Sequence, residues 1–166
     1  RYHVRIDVRG ADADGATHFT SSTRVRFSTK EPDTFLDLLD GEIESVIVND
    51  EEVEPEYDGS RIQLHGLHTH RKNLVVVTAK LPYQHTGQGL HRFVDPADGK
   101  VYLYTHFEAA DSRRMYTVFE QPDLKAHVDF DVLAPQGWRV ISNQVHEDTR
   151  EEEGGILHDF ALTPRM

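Results

Sequence analysis

Eleven histidines and 29 acidic residues in a chain of 166 offer many side chains able to bind metals or move protons. Their spacing decides which chemistry is open. A zinc helix of the form His-Glu-x-x-His needs two histidines four apart on one helical face, with a glutamate general base between them. No two histidines of this sequence stand four apart. His65, His68 and His70 are close enough in sequence to chelate, but they fall in a loop with Gly66 and lack nearby carboxylates, so exposed loop histidines are expected. Asp12, Asp14 and Gly15 echo a calcium loop, yet Gly10 stands where the first acidic ligand belongs and Ser21 where the closing glutamate belongs. A polar hairpin turn accounts for them better. Gly87-Gln88-Gly89 lacks the third glycine of a dinucleotide fingerprint, Arg92 occupying its place, and no βαβ unit surrounds it. With no cysteine and no Gly-x-Ser-x-Gly elbow, thiol nucleophiles, thiolate ligands, disulfides and the usual activated serine are all excluded. No complete catalytic set, and no metal site, is expected in these residues.

The stretch Gly89 to Ala126 carries more information. As a strand, its Val101 to Glu108 portion alternates, with Val101, Leu103, Thr105 and Phe107 on one face and Tyr102, Tyr104, His106 and Glu108 on the other. The second face is polar and aromatic, as the wall of a binding site would be. The plain alternative is that Glu108 faces solvent or pairs with Arg113 or Arg114, an exposed pair worth at most about 1 kcal/mol.

The elements that must position this face read as β throughout. Tyr2, Val4, Ile6 and Val8 alternate with His3, Arg5, Asp7 and Arg9, and Phe19, Ser21, Thr23, Val25 and Phe27 repeat the pattern after a turn at Asp12 to Gly15. A first hairpin is predicted there. Further short runs follow at 35–39, 43–48, 61–64, 74–81, 101–107, 127–133, 138–142 and 156–162, separated by Asn49-Asp50, Asp58-Gly59, Asp98-Gly99 and Gln136-Gly137. This spacing predicts an all-β fold, a multi-stranded antiparallel β-sandwich forming one domain over residues 1–166. The exception is 109–116, where Ala, Arg and Met without glycine or proline predict a short helix capped by Asp111. The acidic run Glu147 to Glu153 is expected to be a solvated loop.

A net charge of −11 offers no electrostatic footprint for a phosphate backbone or an anionic membrane surface, so neither nucleic acid nor membrane is expected as a partner. No apolar run approaches the roughly 20 residues a membrane helix requires. The absence of cysteine suits a reducing compartment, and the cytoplasm is the expected location. The chain opens at Arg1 already inside a strand pattern, and the expectation is of a piece cut from a longer protein.

The run Tyr104-Thr105-His106-Phe107-Glu108-Ala109-Ala110-Asp111-Ser112-Arg113-Arg114, followed by Phe119-Glu120-Gln121-Pro122-Asp123-Leu124-Lys125-Ala126, resembles a block of the aminopeptidase N family. In those enzymes the block ends the N-terminal domain and reads Thr-Gln-Phe-Glu, then an Ala-Arg-Arg-like helix, then Phe-Asp-Glu-Pro and Lys-Ala. Trp138, Ile141, Ser142 and Asn143 resemble the family's Trp-x-x-x-Ser-Asn strand, and Phe160, Thr163, Pro164 and Met166 its Phe-x-x-Thr-x-x-Met. The resemblance covers essentially the whole chain. It implies a saddle-like N-terminal β domain of a zinc aminopeptidase, with zinc ligands and general base in a following thermolysin-like domain, the domain's expected partner. It also implies that Glu108 binds the free α-amine at the N-terminus of a peptide substrate. His106 stands where the family has Gln and is expected to line the same pocket, bulkier and titratable near neutrality. The resemblance also admits a non-catalytic scaffold relative. Arg113, Arg114 and Asp123 are expected to be structural.

Overall fold

The alternation resolves into thirteen strands in a computed structural model that describes residues 1–166. They are β1 (Tyr2–Asp7), β2 (His18–Phe27), β3 (Thr34–Asp37), β4 (Glu42–Val48), β5 (Glu51–Val53), β6 (Glu56–Tyr57), β7 (Arg61–Leu64), β8 (Asn73–Pro82), β9 (Gly89–Val94), β10 (Val101–His106), β11 (Val128–Ala134), β12 (His146–Glu152) and β13 (Gly155–Phe160). Eight of them form one sheet in the order β12-β13-β11-β1-β2-β8-β4-β5. A three-stranded sheet, β3-β7-β6, and a two-stranded ribbon, β10-β9, complete the set.

One face of the large sheet and the small sheets share a core. Val4, Ile6, Val25, Val75, Val77 and Leu81 of the large sheet are fully buried together with Leu36, Leu38, Ile62 and Leu64 from the β3–β7 side. Leu90 of the ribbon and Met115, Tyr116 and Val118 after it join the same cluster. The period-2 burial of β1, alternately buried and half-buried, follows from the alternation of its sequence. The predicted first hairpin is formed, with Val4 opposite Thr23. Asn49 and Asp50 take left-handed backbone angles in the β4–β5 turn, as an Asn-Asp hairpin tip permits.

The expected all-β sandwich is formed, and its strand pairs are antiparallel except one: β1 runs parallel to β11, Tyr2 beside Val128 through Asp7 beside Leu133. Three expectations are corrected. The helix at 109–116 shrinks to one 3-10 turn, Ser112–Arg114. A segment so short cannot nucleate an α-helix unaided, and Asp111 makes no side-chain cap; its carboxylate goes instead to Arg114. The next residues are drawn into the core, where Val118 bridges backbone to backbone with Asp37. The acidic run forms most of edge strand β12 rather than a loop: it pairs along β13, Arg5 reaches Glu152, and Arg150 within the run reaches Asp159 on β13. Finally, 138–142 is not a strand; Trp138 and Val140 pack against the core from an irregular segment. No helix is long and apolar enough to cross a membrane.

Candidate functional site

The ribbon β9–β10 carries the polar and aromatic face singled out in the sequence. Its antiparallel register sets Phe93 opposite Tyr102, His91 opposite Tyr104 and Gly89 opposite His106. Directly opposed residues share a face, so this side presents Phe93, Tyr102, Tyr104, His91 and His106 together. Phe93, Tyr102 and Tyr104 are 45%, 46% and 51% exposed, a concentration of aromatic surface in water that the rest of the fold does not cover. The other side faces inward: Leu90 is buried and Leu103 packs on the core. Arg92 ties the ribbon down, its guanidinium donating to the carbonyls of Ala11 at 2.8 Å and Ala13 at 3.2 Å in the β1–β2 turn.

Within the exposed face, contacts order the side chains. The rings of His91 and Tyr104 stack with centroids 4.7 Å apart and planes inclined by 30°. The Gly87 N–H donates to His91 Nδ1 at 3.0 Å, which places the ring's own proton on Nε2 in the neutral form. Tyr102 donates to Asp98 Oδ2 at 2.8 Å, and that hydrogen bond to a carboxylate pushes the phenol's pKa up. The Lys100 N–H, and then Tyr102, hold Asp98 below the usual carboxylate range.

Glu108 follows the end of β10 by two residues, in a turn rather than on the strand. It is exposed between two anchors. Phe107 before it packs on Tyr116 with ring centroids 5.9 Å apart, and Asp111 after it is buried. The Glu108–Ala109 peptide is cis. Neither alternative partner takes its carboxylate. Arg113 donates through Nε to the Ala110 carbonyl at 2.9 Å, and Arg114 pairs with Asp111 at 2.8 Å and Asp40 at 3.5 Å. The side chains of Glu108 and His106 remain exposed at one end of the ribbon with no hydrogen bond or ion pair to the rest of the chain.

The turn that carries Glu108 is stapled to the core. Glu120 accepts hydrogen bonds from the Ser112 hydroxyl and, at 2.8 Å, from the Arg113 N–H, while its own N–H donates to buried Asp37 at 3.2 Å. The Leu39 N–H donates to the Arg113 carbonyl at 2.8 Å. The structural roles expected of Arg113 and Arg114 are thus seen in their contacts. Sequence reasoning missed Gly89, set aside with its Gly-Gln-Gly neighbours, and the cross-strand partner His91. The available signal was the run of His, Phe and Tyr at alternate positions on both sides of Asp98-Gly99.

No group of three or more histidine, aspartate or glutamate side chains is placed to hold a metal ion. The loop histidines do differ from expectation in one respect. His65 lies 3.1 Å from Asp33 and 3.5 Å from Glu56, carboxylates distant in sequence that β-pairing brings close. The hydrogen bond to Asp33 raises the imidazole's pKa. His68 is occupied otherwise, by Arg71.

The model of the peptidase M1 N-terminal domain matches residues 2–166, and the chain belongs to that family. Its sequence is 41% identical to Aminopeptidase N of Streptomyces lividans over 169 aligned residues, covering 99% of this chain and 19% of that protein. It is 26% identical to Probable aminopeptidase 1 of Saccharolobus solfataricus over 172 residues, covering 100% of this chain and 20% of that protein. A shorter match, 27% over 77 residues, joins it to Aminopeptidase N of Rattus norvegicus, covering 45% of this chain and 8% of that protein. The chain thus spans about a fifth of the length of the first two relatives.

Proposed function

We propose that this domain is the amine-recognising wall of a zinc aminopeptidase, which removes N-terminal residues from peptides and whose catalytic domain follows these residues in the full protein. The observation that carries the reading is Glu108: an exposed carboxylate between half-buried Phe107 and buried Asp111, with Arg113 and Arg114 committed elsewhere. A carboxylate meeting an ammonium in a partly desolvated pocket makes a charge-assisted hydrogen bond that adds affinity and measures the substrate from its terminus. His106, two residues earlier at the same end of the ribbon, is the second substrate-facing group. The exposed aromatics of the ribbon supply area for packing against the catalytic domain.

Residues 1–166 do not fit the zinc ion, because no ligand set exists among them. The metal belongs to the part of the protein outside them, and no catalytic step is assigned to this chain. The test uses the full-length protein. It is expected to release the first residue of a peptide with a free amine and to leave the same peptide untouched once its terminus is acetylated. Equal cleavage of both peptides would contradict amine recognition, and cleavage of neither would favour a scaffold relative.

A further inference from the structure

Glu108 is held from two directions, and both holds meet at one glycine. On the strand side, His106 pairs in register with Gly89. On the turn side, Arg114 packs its stem against the same residue: a Cβ on Gly89 would stand 2.7 Å from Arg114 Cβ and 3.4 Å from Gln84 Cγ. Real side chains do not approach that closely, so nothing larger than glycine fits without displacing the turn. Gly89 also has a φ of +57°, a left-handed angle that favours glycine. From this seat the Arg114 guanidinium reaches Asp111 at 2.8 Å and Asp40 at 3.5 Å, linking the turn after Glu108 to the loop after β3.

We infer that Gly89 and Arg114 form a positioning unit that sets where Glu108 projects relative to His106, and so set amine recognition without touching substrate. The inference rests on the amine-binding reading of Glu108. Its physical basis is the short path. His106 and Glu108 are separated by Phe107 alone; Glu120 staples the turn that follows to the core, and Arg114 sets its distance from the strand opposite His106. The missing side chain at Gly89 is the space Arg114 occupies. Added bulk there forces Arg114 and its link to the ribbon out of this seat, while the strand is held by its ladder and by Arg92. A displacement of about 1 Å in a positioning group can cost up to roughly 100-fold in rate or affinity.

The experiment is steady-state kinetics of the full-length enzyme on an aminoacyl p-nitroanilide, with thermal midpoints measured alongside. Gly89→Ala is expected to raise KM roughly tenfold with kcat changed less than about twofold. Asp111→Asn, which loosens Arg114 without adding bulk, is expected to raise KM about threefold, and it carries the test if Gly89→Ala does not fold. The decisive arm repeats each change beside Glu108→Gln. A unit that acts through Glu108 has nothing left to position, so each change should then alter KM less than about twofold. Equal effects in both backgrounds, or no effect of either single change, would overturn the inference. An unaltered KM in Glu108→Gln alone would instead overturn the amine-binding reading on which it rests.

Discussion

The outward face of the large sheet and the outward face of the ribbon are both polar, but they handle charge in opposite ways. On the large sheet nearly every charge near β1 has a partner. Arg1 and His3 meet Asp129 at 3.3 and 3.0 Å, His3 also lies 3.3 Å from Asp131, and Arg9 meets Asp7 at 2.6 Å. Arg5 with Glu152 and Arg150 with Asp159 extend the pairing to the sheet edge. At the end of the ribbon, the side chains of Glu108 and His106 have no partner within the chain, and Tyr104, Tyr102 and Phe93 follow along the same ribbon face, exposed to water. Paired charges across strands favour one register over others, so the first face is explained by folding alone. The second contributes little to folding, and its arrangement makes sense only in terms of what it meets.

That contrast can be broken by mutation, beginning with the staple that fastens the turn after the ribbon to β3. Asp37 is 5% exposed and accepts the Glu120 N–H, so Asp37→Ala should destabilise the domain by about 2 kcal/mol in urea unfolding, by stranding that donor and freeing the turn. A loss below about 0.5 kcal/mol would show that the turn is not fastened through this residue.

On the paired face, Asp129→Asn should cost about 1 kcal/mol at neutral pH, since its partners are partly exposed and water screens them. Burial pushes the Asp129 carboxyl up, but hydrogen bonds from Arg1 and His3 outweigh it and leave the pKa lowered. A lowered folded-state pKa stabilises above the unfolded value, about 3.9, and that contribution is lost as pH falls through the folded value. The difference between wild type and Asp129→Asn should therefore shrink below about pH 4. A constant gap in thermal midpoint from pH 7 to pH 3 would contradict it.

On the ribbon, Tyr104→Ser removes a half-exposed ring and its stack on His91, and should change stability by only about 0.5 kcal/mol. A loss as large as that at Asp37 would place the ribbon's aromatic face among the structural elements and erase the contrast.

Much of this was legible in the sequence because period-2 alternation is a direct readout of one buried face. The strands at 2–7, 18–27 and 73–82 and the polar face of β10 follow from it, and the left-handed turns at Asn49, Asp50, Gly59, Gly99 and Gly137 follow from turn residue types. What was not legible is long-range. The parallel β1–β11 pair joins residues more than a hundred positions apart, and no local pattern distinguishes it from another antiparallel neighbour. The acidic run looked like a loop because the partners that seat it, Arg5 for Glu152 and Asp159 for Arg150, meet it only once the edge of the sheet is assembled. Gly89 was invisible for a related reason: the demand for a missing Cβ comes from Arg114, on a different element. The identity of Glu108 as the residue to watch came from resemblance. In the fold its carboxylate is left unclaimed by either neighbouring arginine.

The central claim is that Glu108 serves recognition and not the fold, so one substitution should separate the two. In the full-length protein, Glu108→Gln should leave the thermal midpoint within about 1 °C of wild type, because no intramolecular partner is lost. The same change should lower kcat/KM for a free-amine substrate by about 30- to 1,000-fold, on the order of 2 to 4 kcal/mol, through loss of a desolvated charge pair. Unchanged kinetics, or a kinetic loss matched by a fall of several degrees in thermal midpoint, would return Glu108 to the ordinary surface and contradict the account.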